Sequence, residues 1–197
     1  MLFRSEPYAA ILALNPNMML VPAGPYVQGR LHQEVEVRAG EPLAEKAELP
    51  AFLIDVFEYP NLQDAPPKRR VSHADAQRLC AEQGKRLCTA AELEKACKGP
   101  SNRIYGYDDA WSPSTCGQGV EDIQPSGKRR DCKSGWGVYD LAGNLREWTS
   151  TPKGEGRVLV KGGLPDTPAL GTRCAFSTDL STAYTDDTLS FRCCKDL

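Results

Sequence analysis

The pattern of apolar and polar positions changes character along the chain. Its first third reads as strands. Met18 to Val21 is apolar, Pro22-Ala23-Gly24-Pro25 makes a turn, and Tyr26 to Gly29 resumes an extended run. His32 to Arg38 alternates in part through Val35 and Val37, and Ala51 to Glu58 is rich in aromatic and β-branched residues, as a buried or half-buried strand requires. A long Pro-rich loop follows. Two helices then carry the clearest boundary signals. One opens at Ser72 with Asp75 three residues on and closes at Gly84, with Ala76, Leu79 and Cys80 as its inner face. The other opens at Thr89 with Glu92 in the matching position, turns Leu93, Ala96 and Cys97 inward and Glu92, Glu94 and Lys95 outward, and stops at Gly99-Pro100. His73, in the first turn of its helix, reads as a surface residue. From Ser101 onward turns dominate, with strand-like pieces at Val158 to Val160 and Leu189 to Arg192.

Composition narrows the class. A chain of 197 residues with 41% hydrophobic and 25% charged positions suits one globular domain. A net charge of -2 gives no global reason to bind nucleic acid, and the runs Lys68-Arg69-Arg70 and Lys128-Arg129-Arg130 read as solvated loops. No stretch approaches the ~20 apolar residues of a membrane span. The apolar run Ala9 to Leu14 is too short for the core of a signal peptide.

Eight cysteines alter the picture more than any percentage does. An even count suggests complete pairing, whereas zinc would want closely spaced Cys and His, and there are only two histidines. Disulfides persist outside the cytosol, so a periplasmic or secreted location is expected, with a leader or anchor lying outside these residues. The expected fold class is α+β, short of regular structure, with two helices and disulfide crosslinks.

The segment from Tyr139 to Trp148 carries the candidate chemistry. Asp140 and Glu147 supply two carboxylates, and the Gly143-Asn144 turn can direct main-chain carbonyls inward. Hard oxygen donors of that mixed kind suit calcium. The plainer alternative is a turn with a buried Trp148 and a Glu147 paired to an Arg. Neither a catalytic triad around His32 or His73 nor a Gly-rich phosphate loop is present.

Six stretches in order carry a family resemblance: Met19 to Gly24; Ala51 to Glu58 followed by Asn61; Gly84 to Glu94; Gly137 to Trp148; Lys161-Gly162-Gly163; and Phe191-Arg192-Cys193. Together they resemble the formylglycine-generating-enzyme, or sulfatase-modifying factor, family, whose fold is a variant of the C-type-lectin-like fold. Residues 18–197 would form one such domain after an extension over 1–17. The resemblance implies a calcium ion held by Asp140, the carbonyls of Gly143 and Leu145, and Glu147. It implies the disulfides Cys80–Cys193 and Cys97–Cys174, to which neighbouring positions add Cys88–Cys194 and leave Cys116–Cys132. Family enzymes oxidise a peptide cysteine at a copper ion held by two cysteines just after the Gly-Gly strand. Here Gly162 to Cys174 contains only Cys174, which the pairing already uses. The resemblance therefore implies a non-catalytic binding or accessory module for a protein or glycan ligand. Its recognition surface would lie over Leu164 to Thr172 and Thr178 to Thr188, with Asp166, Thr167 and Tyr184 as contacts. The alternative is a copper-dependent oxidase of the family type.

Overall fold

A computed structural model describes residues 6–30, 42–117, 122–162 and 168–197. Strands β1 (Met18–Val21), β4 (Phe52–Asp55), β10 (Cys193–Asp196) and β5 (Arg86–Leu87) form a sheet in the order β1-β4-β10-β5. Strand β4 is central and buried on both faces, which explains its continuous apolar run. Phe52 and Ile54 face Val21, Leu93 and Val138, while Leu53 meets Met18 and Leu20 under helix α1 (Glu6–Leu14). A second sheet, β8-β7-β6-β9, joins Ser177–Ser181, Arg157–Lys161, Arg146–Gly154 and Leu189–Ser190. Strands β2 (Gly24–Gln28) and β3 (Glu45–Leu49) pair as a separate antiparallel ribbon.

Helix α2 (His73–Glu82) starts at Ser72, whose hydroxyl accepts from Asp75 N at 3.1 Å. Helix α3 (Ala90–Lys98) carries a full capping box: Thr89 Oγ1 accepts from Glu92 N, and Glu92 Oε2 accepts from Thr89 N at 2.7 Å. The two helices expected from the sequence are thus present. Among the described residues there are five, however: α1 is a third substantial helix, and α4 (Pro113–Cys116) and α5 (Pro168–Gly171) are single turns. Helix α1 escapes the sequence reading because it carries neither a capping signal nor a segregated polar face; what fixes it is the docking of Tyr8, Ile11 and Leu12 onto the sheet.

Two readings of the helices need correction. Glu92, Glu94 and Lys95 are buried: Arg86 pairs with both oxygens of Glu92, and the β2 side of the ribbon covers Glu94 and Lys95. Lys95 Nζ donates to Pro22 O and Gly24 O, and Lys98 Nζ donates to Val27 O and Gly29 O, so the lysines of α3 bind the ribbon by its carbonyls. Glu94 closes the seam by accepting from Gly29 N at 2.6 Å and pairing with Lys98 and Lys161. His73 is also buried, with Nε2 2.9 Å from Thr149 O and its ring edge-on to Trp148. The alternating stretch from His32 to Arg38 lies outside the described residues.

Four disulfides tie these elements together: Cys80–Cys193, Cys88–Cys194, Cys97–Cys174 and Cys116–Cys132. The first two anchor β10 to the end of α2 and to the start of the α3 segment. No helix of the described residues is long and apolar enough to cross a membrane.

Candidate metal centre

The turn leading into β6 determines how Asp140 and Glu147 are presented. Asp140 and Asn144 both adopt left-handed backbone conformations, with φ of 64° and 60°. Asp and Asn tolerate this region better than other residues with a Cβ. Gly143 has no alternative on steric grounds, since a Cβ there would lie 2.7 Å from Cys116. Downstream, β6 buries Trp148, whose indole Nε1 donates to Val71 O at 2.9 Å, and places Glu147 one position before it. Leu145 O lies against Gly162, where a Cβ would come within 2.9 Å of that oxygen.

Glu147 does pair with an arginine. Arg192 is fully buried and donates Nε to Glu147 Oε2 at 2.8 Å and Nη2 to Oε1 at 2.7 Å. Its remaining donors reach the carbonyls of Tyr139, Asp55 and Val56. One guanidinium thus joins β4, β6 and the Tyr139 turn, a task suited to its rigid planar array of donors.

Asp140 Oδ2 accepts from Gly127 N at 2.6 Å. Burial raises its pKa to about 6 against the lowering effects of that bond and of Arg192. A third carboxylate completes the cluster: Glu58, wholly buried at the end of the β4 segment, accepts from Asn144 Nδ2 at 2.7 Å. Burial, reinforced by the nearby Asp140, pushes Glu58 up to about 8. Its second oxygen, Oε2, is buried, with the Ser126 hydroxyl close enough to lower the Glu58 pKa somewhat. Glu58 and Arg192 lie in stretches that carry the family resemblance, which assigns neither a role. The available signal was a second carboxylate, three residues after Asp55, closing the mainly apolar run from Ala51.

The centre thus sets three buried carboxylates against one guanidinium; burial first, and the mutual repulsion of the carboxylates second, raises the pKa of Asp140 and Glu58. Among the described residues no three His, Cys, Asp or Glu side chains converge on a metal position. A cation here would therefore draw on main-chain carbonyls besides Asp140 and Glu147. In charge and donor type the residues fit a hard divalent ion.

The other candidate contacts are not gathered here. Asp166, Thr167 and Gly163 lie outside the described residues. Tyr184 is 40% exposed on the loop after β8 and is held in place, its hydroxyl donating to Asp186 Oδ2 at 2.8 Å and its ring 5.9 Å from the Arg146 guanidinium. The basic runs contribute structural pairs, Arg70 with Asp187, Arg129 with Asp122 and Arg130 with Asp64.

Comparison with known proteins gives a consistent answer. The family model described as the sulfatase-modifying factor enzyme 1-like domain matches residues 58–197. The formylglycine-generating enzyme of Mus musculus is 29% identical over 164 residues, 66% of this chain and 44% of that protein. The inactive C-alpha-formylglycine-generating enzyme 2 of Bos taurus is 31% identical over 98 residues, 43% of this chain and 33% of that protein. The chain therefore spans less than half the length of these relatives. Among solved structures, PvdO from Pseudomonas aeruginosa superposes with a TM-score of 0.70 at 16% identity, covering 91% of this chain and 94% of that one. CarF gives 0.68 at 16% identity, covering 93% and 99%. The major tropism determinant I1 variant gives 0.55 at 12% identity, covering 74% and 50%. At these identities the structures speak for the fold alone.

Proposed function

Since this chain belongs to the sulfatase-modifying factor enzyme 1-like family, we propose that it is a non-catalytic, calcium-stabilised binding or accessory module working outside the cytosol. The observation that carries the reading is the state of the sulfur. All eight cysteines of the sequence are engaged in the four disulfides, and none is free. Copper(I) prefers soft thiolates, and a disulfide offers none. Membership of the family does not itself imply oxidation, since one relative is named as inactive. Extensive crosslinking also favours a periplasmic or secreted setting.

Calcium would be held by Asp140, the carbonyls of Gly143 and Leu145, and Glu147, and would supply the positive charge that the acidic centre lacks. Arg192 fixes the Glu147 carboxylate, and Gly127 N orients Asp140, so this chain's own contacts keep the donors in place. The partner would be a protein or a glycan, with Asp166, Thr167 and Tyr184 as candidate contacts.

Thiol titration of the denatured chain tests the sulfur argument directly. No thiol should react before reduction, and eight should react after it. The rival reading is a copper-dependent oxidase acting on a peptide cysteine. A reactive pair, together with copper(I) retained against a competing chelator, would replace the module with that oxidase.

A further inference from the structure

A cleft of about 160 Å³, lined by none of the acidic centre's residues, opens between β2, the C-terminal end of α3 and the turn at Trp136. Its walls are Pro22, Pro25, the Tyr26 ring, Pro100 and Trp136, with Asn102 beside them. Glycines set its shape. Gly99, at φ 65°, approaches Gly135 so closely that a Cβ on Gly99 would lie 3.0 Å from Gly135 N. A Cβ on Gly135 would lie 2.7 Å from Pro100 Cδ, so only a pair of glycines lets Pro100 stand beside Trp136.

The polar groups of the lining are of one kind. Lys95 is a donor already directed at Pro22 O and Gly24 O. Asn102 has its Oδ1 committed to Val27 N at 3.0 Å, which fixes the amide and turns its NH₂ into an oriented donor. The Tyr26 hydroxyl is shut away from solvent. No acidic side chain lines the cleft, and it offers no uncommitted, solvent-facing side-chain oxygen. A fitting occupant brings acceptors and flat apolar surface but few donors. A glycan fits poorly, because its hydroxyls donate as well as accept. A proline-rich backbone fits well: it lacks N–H groups, presents carbonyls in a preformed extended helix, and docks its rings against aromatic walls. The volume, well below the ~300 Å³ of a small-molecule pocket, admits one ring-sized group while the rest of the peptide runs past the opening.

We infer that this cleft binds a proline-rich peptide segment, with one proline ring seated between Trp136 and the Pro22–Tyr26 wall and a peptide carbonyl accepting from Asn102 Nδ2. The inference goes beyond the module reading. The cleft contains no cysteine and no proposed calcium ligand, so its failure would leave the thiol and calcium tests untouched.

Calorimetric titration of the whole chain tests it with three probes: a blocked decaproline, a Gly-Ser decamer of the same length, and a malto-oligosaccharide. Saturable binding of decaproline alone is expected. Asn102→Asp keeps the acceptor for Val27 N but removes the donor, so it should weaken binding by about tenfold at an unchanged melting temperature. Trp136→Leu should weaken it at least as much, and Tyr184→Ala, on another surface, should leave it unchanged. The proposal is overturned if decaproline fails to saturate at millimolar concentration, if the Gly-Ser decamer binds equally, if only the oligosaccharide binds, or if both cleft variants bind like the parent.

Discussion

Arg192 and Glu147 form an ion pair that the fold cannot lose from one side only. Both are buried, and removing either partner leaves an uncompensated charge without water, a loss of about 3–5 kcal/mol. Glu147→Ala and Arg192→Ala should each lower the free energy of urea unfolding by that order, whereas a surface pair such as Arg78–Glu82 should cost under about 1 kcal/mol. Asp140 and Glu58 respond to pH in the opposite sense to ordinary paired carboxylates. Their folded pKa values, about 6 and about 8, lie above the ordinary 3.8 and 4.5, so the folded state holds more protons than the unfolded one. Their contribution to stability is therefore full below pH 4 and declines as pH rises toward 8. Melting in a chelator should show that decline, and calcium should reverse it at pH 7 but not at pH 4. Asp140→Asn should flatten the lower part of the profile and remove the calcium response; a response preserved in that variant would exclude Asp140 as a ligand.

At the scale of elements, short-range signals were legible and long-range coverings were not. Ser72 and Thr89 mark the starts of α2 and α3 correctly because a cap is complete within four residues. Thr89→Ala should cost about 1 kcal/mol in thermal or urea unfolding, while Thr151→Ala, which removes an acceptor only from Ala90 N, should cost less. The side of α3 bearing Glu94 and Lys95, part of the charged face with Glu92, looks solvated in sequence, since charges on one stripe normally mean water. Its burial depends on carbonyls of β2, some 70 positions away, and no local pattern encodes that contact. The same limit applied to the acidic centre. Asp140 and Glu147 could be read from one turn, but Glu58 and Arg192 reach it from just after β4 and just before β10. Gly162 is more local in its demand: its φ of 91° and the approach of Leu145 O leave no room for a Cβ. Gly162→Ala should therefore destabilise the β6–β7 pair, seen as faster amide exchange at Lys161.

For the whole molecule, the two sheets meet in a shared apolar core, and the crosslinks fasten α2, the start of the α3 segment and α3 itself around it. Cys80–Cys193 and Cys88–Cys194 close loops of 113 and 106 residues, and Cys97–Cys174 one of 77. In the chain-entropy view each such bond restrains the unfolded chain by about 2–4 kcal/mol, a contribution that matters in a fold of short strands. All eight sulfurs belong to buried residues, so a reductant cannot reach them while the domain stays folded. This couples reduction to global opening. Native protein in dithiothreitol should expose its thiols to alkylation in one concerted phase, with a rate that follows unfolding as urea is added. Cys116–Cys132 closes a loop of only 16 residues beside the Gly143 turn, and it offers the internal control. Replacing that pair by serines should cost less stability than replacing Cys80 and Cys193, yet should weaken calcium protection of the melt more. If thiols instead appear one pair at a time from protein that remains folded, the sheets are not held by these bonds as a single cooperative unit.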